Sequence, residues 1–457
     1  MSETLGPIRT HAPLTGVPHP MHFVTGRSAA EIAASVERAI RSGQVSPGEQ
    51  LPSVRDVAER LGVNRNTVTA AYARLREAGL VTGNGRQGSR VAAPPSVEIY
   101  RSEIPADVRD LASGNVDASL LPDLAPFLAR LDLPPGGYEM VEDDPELVAH
   151  AQRVFRADGL QAGRIAIVSG AMDGLERALR AHLRPGDPIA IEDPGYVSAL
   201  LLVRSLGLRP VPMALDEDGV LPEALDAALA AGVRAVVTTP RAQNPTGACL
   251  GAERAARLRA LLDRHPEVLV IEDDHASAVS GVPAQTLAPA RMAARPWTVI
   301  RSVSKFLGPD LRLAIVAGDP MTIARMQDQQ ALGPRWVSHI IQRLVLRLWT
   351  APGTDQVIER AARSYGARRE ALAARLADHG VIALGRSGLH VWVPVQREAE
   401  VVQGMLARGW SIQAGEIFRL RSGPGVRVGI AGLHPGEEDT VARALADSMR
   451  PGRLLYT

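Results

Sequence analysis

The chain has 457 residues, 46% of them hydrophobic and 22% charged, an ordinary balance for a globular protein with room for two or three domains. A net charge of +1 excludes a chain that is basic throughout, so any nucleic-acid surface has to be local. The single cysteine, Cys249, excludes a disulfide framework and a cysteine-rich metal centre and suits a reducing cytoplasm, while no apolar run of about 18 residues is present to span a membrane.

Residues 1–20 hold four prolines and no periodic pattern and read as a disordered leader. A compact module is expected over 21–93. Ser28-Ala-Ala-Glu31 is a capping box opening an apolar-periodic helix through Ile32, Val36, Ala39 and Ile40, and Gly43 sits where such a helix stops. Ser53 opens a second helix that Gly62 ends. Asn64 caps a third, with Val68, Ala71, Tyr72 and Leu75 on one face and Gly79 at its end. Leu80–Thr82 and Ser89–Val91 flank a glycine-rich tip and read as a hairpin. Helix, tight glycine turn, helix, then hairpin is the pattern of a winged helix-turn-helix, mainly α with a β wing.

Ten arginines face six acids in this stretch, a local excess of +4, so the rest of the chain is slightly acidic. Asn64, Arg65, Asn66, Thr67 and Thr69 crowd the first turns of the third helix, where a recognition helix meets base edges; Arg and Asn are the bidentate readers of guanine and adenine. Arg55 opens the helix before it, and Arg86 and Gln87 lie between glycines at the hairpin tip, placed for phosphate or the minor groove. The bland alternative is a three-helix protein-binding module with a solvated helix start. The stretch resembles the GntR-family winged helix-turn-helix in Leu51-Pro-Ser-Val-Arg-Asp56, Leu61-Gly-Val-Asn-Arg-Asn-Thr-Val68, Tyr72-Ala-Arg-Leu-Arg-Glu-Ala-Gly-Leu80 and Gly85-Arg-Gln-Gly88. That resemblance implies binding of double-stranded DNA.

Residues 94–109, starting at Pro94-Pro95, read as a short, semi-stiff linker. From 110 to 457 short apolar runs (165–168, 189–191, 235–238, 268–271, 298–300, 313–316) alternate with helical stretches, which predicts an α/β domain around a mostly parallel sheet. Ligands of such sheets sit beyond the carboxyl ends of the strands. Successive strand ends here are followed by Ser169-Gly-Ala-Met-Asp-Gly174, by Glu192-Asp-Pro-Gly-Tyr196, by Pro240-Arg-Ala-Gln-Asn-Pro-Thr-Gly247, by Glu272-Asp-Asp-His275 and by Ser302-Val-Ser-Lys305, with Arg312 seven residues on.

Lys305 is the only lysine in the chain. Arginine replaces lysine at most surface sites but cannot serve as a neutral amine, because guanidinium stays protonated. A lone lysine is therefore a candidate Schiff-base anchor. A phosphate nest, an aromatic, an amide, a carboxylate and that lysine form a complete set for pyridoxal phosphate. Taken singly, Asp273 could be a helix cap, Asn244 a turn former and Tyr196 a core aromatic; their ordered occurrence at strand ends argues for a shared site.

Residues 110–457 resemble the fold-type I, class I aminotransferases, and the whole chain resembles the MocR/GabR subgroup of GntR regulators. The resemblance implies roles by position. Lys305 is the Schiff-base lysine, Asp273 pairs with the pyridine nitrogen, Asn244 bonds the phenolic oxygen, and Tyr196 stacks on the ring. Gly170, Ala171, Met172, Ser302, Ser304 and Arg312 bind phosphate, Arg427 holds an effector carboxylate, and Tyr138 reaches the phosphate of a neighbouring subunit in a homodimer. Two positions depart from the pattern. His275 stands where the subgroup has a tyrosine beside the phenolic oxygen, which makes tuning of the imine pH-sensitive near neutrality. Around Tyr138 the family's Tyr-x-x-Pro-x-Gly reads Tyr138-Glu-Met-Val-Glu-Asp-Asp-Pro145, without the glycine.

The leading expectation is a DNA-binding regulator that senses pyridoxal phosphate, an amine or an amino acid through Lys305 and reads paired half-sites as a homodimer. An aminotransferase with an appended regulatory module stays open beside it; a cofactor-free scaffold is opposed by the intact Asp273 and Lys305.

Overall fold

The computed structural model describes residues 21–77, 80–83, 88–91, 104–105, 107–132, 136–138, 142–289 and 295–450. The chain divides into two compact units between Ser96 and Val97. The expected leader, the hairpin tip with Arg86 and Gln87, Gly79 and most of the linker lie outside the described residues.

In the first unit, helix α1 spans Ala29–Arg41, α2 spans Val54–Leu61 and α3 spans Arg65–Glu77. Each start is capped as its sequence dictates. Glu31 N donates to Ser28 Oγ while Ser28 N donates to the Glu31 carboxylate, Asp56 N donates to Ser53 Oγ, and Asn66 N donates to Asn64 Oδ1 at 2.8 Å. Gly62 takes the left-handed conformation (φ +64°) that ends α2 and turns the chain into α3. Ile32, Val36, Val57, Val68, Ala71, Tyr72 and Leu75 close a core of their own, and the Tyr72 hydroxyl donates to the Pro52 carbonyl at 2.9 Å. Strands β1 (Val81–Thr82) and β2 (Arg90–Val91) pair antiparallel, with Leu51 N bonded to Ser89 O, so the wing is stitched to the segment ahead of α2.

The second unit is built on an eight-stranded sheet. Strand β3 (Arg109–Asp110) precedes it; the sheet itself comprises β4 (Arg164–Val168), β5 (Pro188–Asp193), β6 (Arg209–Asp216), β7 (Gly219–Val220), β8 (Ala235–Thr238), β9 (Leu269–Asp274), β10 (Trp297–Ser302) and β11 (Ala314–Gly318) in the order β4-β11-β10-β9-β8-β5-β6-β7. Strands β10, β9, β8, β5 and β6 run parallel, whereas β11 is antiparallel to both β10 and β4. Only the short Lys305 loop joins β10 to β11, too little chain for a crossover helix, so the strand has to return antiparallel. β6 escapes the apolar-run reading because Pro210 and Pro212 interrupt it near the sheet margin.

Helices cover both faces, and one contact places the site. In the helix Ala171–His182, a Cβ on Gly174 would lie 3.2–3.3 Å from Ile300, Val168 and Val316. The missing side chain lets this helix sit close on the sheet with its N-terminus at the strand ends. A smaller sheet of β12 (His390–Pro394), β14 (Gln413–Ala414) and β15 (Gly425–Gly429) packs beside it, and β13 (Trp410–Ser411) pairs with β3. Arg109, the last residue of the expected linker, is thus a strand residue of the second unit. No helix among the described residues is long and apolar enough to cross a membrane.

Candidate functional site

The carboxyl ends of β9 and β10, the N-terminus of helix Ala171–His182, the small sheet and the strap 112–115 enclose a cavity of about 480 Å³. It is lined by Ala171, Met172, Tyr196, Asn244, Asp273, His275, Ser302, Ser304, Lys305, Arg312 and Arg427 among others. Eleven of the twelve residues expected in this subunit's site from the sequence therefore meet in one space; Gly170, at the helix N-cap, is the exception.

Three consecutive acids end β9, and each has a different fate. Glu272 accepts from Thr286 Oγ1 at 2.7 Å and from Leu287 N. Asp274 accepts from Arg241 Nε and Nη2, both at 2.8 Å, and from Arg301 Nε at 2.9 Å. Burial alone raises Asp274, but the hydrogen bonds from Arg241 and the charge of Arg301 bring it down to about 2. Asp273, between them, has a buried Oδ1 with no hydrogen-bond partner, and burial, with the charges of Asp274 and Glu192, pushes it up to about 7. A desolvated carboxylate without a cation, facing a cavity, fits a protonated ring nitrogen.

Lys305 Nζ donates to the Gly114 carbonyl at 3.3 Å. Burial first, and then the Arg427 charge, lowers its pKa, which favours the neutral amine able to attack an aldehyde. At the other end, Gly170 (φ +96°) caps helix Ala171–His182 and lies so close to Arg312 that a Cβ would stand 2.9 Å from Nη2. Ser302 and Ser304 are linked through their hydroxyls at 3.0 Å. A helix N-terminus, a guanidinium and two hydroxyls suit a phosphate dianion.

Asn244 Oδ1 accepts from Arg427 Nη1 at 2.9 Å, which leaves the amide NH₂ as the group able to donate elsewhere. Arg427 also donates to Ala112 O and lies 4.9 Å over the Phe418 ring. Tyr196 opens the helix Val197–Ser205; the adjoining loop is held by Asp193, whose carboxylate accepts from the backbone N–H groups of Leu420, Arg421 and Ser422 at 2.7–2.9 Å.

One expectation changes. Burial, then the Lys305 charge, lowers His275 to about 4, so it does not titrate near neutrality as its free pKa suggested. Tyr138, expected at a neighbouring subunit's phosphate, is 76% exposed, edge-on to Trp336 at 6.3 Å with the Arg335 guanidinium 5.5 Å over its ring. Sequence reasoning also missed a set of wall residues, namely His390, Ser411, Gln413, Phe418 and the strap Ser113–Asn115. They come from the small sheet, from β13, from the turn Gly415–Phe418 and from the entry segment, and no motif marks them.

In the first unit Arg55, Asn64, Arg65, Asn66 and Thr69 are exposed, while Thr67 is half-buried beside the core residue Val68. Thr69 Oγ1 donates to Arg65 O at 2.9 Å, which occupies its hydroxyl proton within the helix.

An open α/β sheet with a lysine, a carboxylate and a phosphate nest at its strand ends defines a fold-type I site for pyridoxal phosphate. A family model described as aminotransferase class I and II matches residues 147–445, and one described as bacterial regulatory proteins, gntR family, matches residues 28–91. The chain is 41% identical over 424 residues, 92% of its length and 98% of the relative's, to the vitamin B6 salvage pathway transcriptional repressor PtsJ of Salmonella typhimurium. It is 28% identical over 444 residues to the pyridoxine biosynthesis transcriptional regulator PdxR of Corynebacterium glutamicum, covering 91% of this chain and 94% of that one. Kynurenine aminotransferase of Pyrococcus horikoshii superposes with a TM-score of 0.69 at 21% identity over 76% of this chain and 91% of its own, a likeness of fold. The chain belongs to the GntR-family regulators whose helix-turn-helix is joined to a class I/II aminotransferase domain, the MocR/GabR group. It is a DNA-binding transcriptional regulator, and its second domain is one that carries pyridoxal phosphate.

Proposed function

We propose that this regulator reads pyridoxal phosphate, or an amine that reaches it, at Lys305 and passes the outcome to its DNA module. The observation that carries the reading is Asp273, a buried carboxylate facing the Lys305 cavity with no partner of its own. When bound, the cofactor supplies an aldehyde that an amine can capture and a ring that draws electrons from it. Lys305 holds the aldehyde carbon, Asp273 keeps the ring nitrogen protonated, and Asn244 and His275 donate to the phenolic oxygen. Tyr196 covers the ring. Gly170, Ala171, Met172, Ser302, Ser304 and Arg312 grip the phosphate, and Arg427 receives a carboxylate. Identity to a vitamin B6 salvage repressor favours a B6 compound as the signal.

Arg55, Asn64, Arg65, Asn66, Thr67 and Thr69, with Arg86 and Gln87 from the glycine-rich segment between β1 and β2 in sequence, contact DNA, over a module at 21–93 and a linker at 94–109. A two-fold dimer would match paired half-sites; the exposed Tyr138 ring supports a contact with a second copy. A second reading, an aminotransferase under the control of its own module, is favoured by the complete cofactor set joined to Arg427.

The deciding experiment titrates the full chain onto DNA upstream of its own gene, with and without pyridoxal phosphate. The expected result is a cofactor-dependent change in affinity that Lys305→Ala abolishes along with the visible absorption of the bound cofactor. Unchanged DNA affinity would overturn the sensing role, and sustained turnover between an amino donor and a keto acid would favour the enzyme.

A further inference from the structure

The cavity is larger than its cofactor-binding half. Asp273, Lys305, Ser302, Ser304 and Arg312 line it from the large sheet; the rest of the wall comes from the small sheet, from β13, from the turn Gly415–Phe418 and from the strap. This second part of the wall carries His390, Ser411, Gln413 and Phe418, with Arg427 as its one charged group among the described lining residues. His390 is the distinctive member. It is 5% exposed, and its Nδ1 is buried without a hydrogen-bond partner. Its ring stands against Gly114, where a Cβ would come within 2.8 Å of Cε1. Burial first, then the charges of Arg427, Lys305 and His275, holds the imidazole neutral. A neutral imidazole offers one donor and one acceptor. Ser411 and Gln413 line the same space, are part-buried, and have no side-chain hydrogen bond to another described residue, so a ligand in the cavity can bond both.

We propose that His390, with Ser411 and Gln413, forms an uncharged hydrogen-bonding subsite that selects a small primary amine carrying a neutral hydroxyl or carboxamide. The inference rests on the reading that pyridoxal phosphate occupies the Lys305 side. Three features restrict the ligand. The aldehyde demands a primary amine. Arg427, held by Asn244 and Ala112 O, admits one carboxylate. The wall has no second described cation for another, so a dicarboxylic amino acid is disfavoured, and an alkyl chain offers Ser411 and Gln413 nothing to bond. In the exchange the amine nitrogen replaces Lys305 Nζ on the aldehyde carbon. One C=N bond forms as the other breaks, the proton passes to Lys305, and no oxidant or water is consumed.

The test uses the full chain loaded with pyridoxal phosphate, titrated with L-serine, L-alanine and L-aspartate while the visible spectrum of the bound cofactor is followed. Serine is expected to bind about tenfold tighter than alanine or aspartate, the worth of one net hydrogen bond. His390→Phe removes that preference and leaves the alanine affinity within about threefold, whereas His390→Gln, which keeps a donor and an acceptor, retains part of it. Should His390→Phe fail to fold, Gln413→Leu tests the same wall and reduces the serine preference. Equal serine and alanine affinities in the wild type, or an equal loss for all three ligands in the variants, overturns the subsite. A wild-type chain with no cofactor band overturns the reading of the site itself and the subsite with it.

Discussion

Arg427 Nη1 donates to Asn244 Oδ1 at 2.9 Å, a bond that ties strand β15 of the small sheet to the loop beyond β8 of the large one. The residue expected to receive a carboxylate and the residue expected to steady the cofactor's phenolic oxygen are therefore one unit. Asn244→Leu takes the acceptor from a buried cation and should cost about 1.5–3 kcal/mol, the range for hydrogen bonds to charged groups. On an Arg427→Leu background the same change should cost little, because the two residues couple. All five tryptophans (Trp297, Trp336, Trp349, Trp392, Trp410) lie in the second unit, so urea unfolding followed by tryptophan fluorescence reads this unit by itself. Additive losses in the double variant would contradict the coupling.

Asp273 predicts a pH dependence of stability in the absence of cofactor. Its folded pKa of about 7 lies above the ordinary 3.8, so the folded state holds a proton that the unfolded state releases. The stability this contributes is fully present below about pH 4 and is lost as the pH rises through 7. Asp273→Asn carries no such loss. The variant should gain on the cofactor-free wild type between pH 5 and pH 8 in urea midpoint. It should also bind pyridoxal phosphate more weakly, having lost the anion that faces the ring nitrogen. A constant gap between the two proteins across that range would place Asp273 in a solvated setting.

Most of the cofactor half was legible from the sequence because strand ends of an open α/β sheet gather ligand-binding residues by topology alone. The sole lysine named the anchor. The choice of Asp273 over Glu272 and Asp274 came from the family pattern, and the physical reason lies in packing: Thr286 with Leu287 N takes one neighbour and the Arg241–Arg301 pair takes the other. The second part of the wall stayed hidden. His390 and Gln413 sit on short strands of a separate sheet and Ser411 on the strand paired with β3, and only the folding of these pieces against the strap brings them to the cavity. The His275 expectation failed for a related reason, since a free histidine pKa knows nothing of burial.

His275 yields the next test. With its titration moved to about pH 4, it stays neutral from pH 5.5 to 8. His275→Gln should alter the affinity for pyridoxal phosphate by a constant factor and leave the shape of its pH profile unchanged over that range. An inflection near pH 6.5 in the wild type, absent from the variant, would show that the imidazole is solvated. The informative measurement is the dissociation constant by absorption at four or five pH values, with Asp273→Asn run in parallel because Asp273 titrates in the same window.

The DNA module offers a prediction in which affinity and fold can be separated. Arg65 is exposed in the first turn of α3, and its side chain is not part of the core that holds the helix. Asn64 is a poorer probe, because its side chain caps the helix through Asn66 N and its loss should cost about 1 kcal/mol of helix stability. Arg65→Ala should leave the module folded and the cofactor spectrum intact while weakening DNA binding. Salt separates its two possible contacts. If Arg65 meets phosphate, the slope of log affinity against log salt falls by about 1 and every sequence is weakened alike. If it reads a base edge, the slope barely moves and the specific site loses about 1–3 kcal/mol relative to random DNA. Its place in the first turn of the recognition helix favours the second outcome. Unchanged affinity for both specific and random DNA would remove Arg65 from the interface.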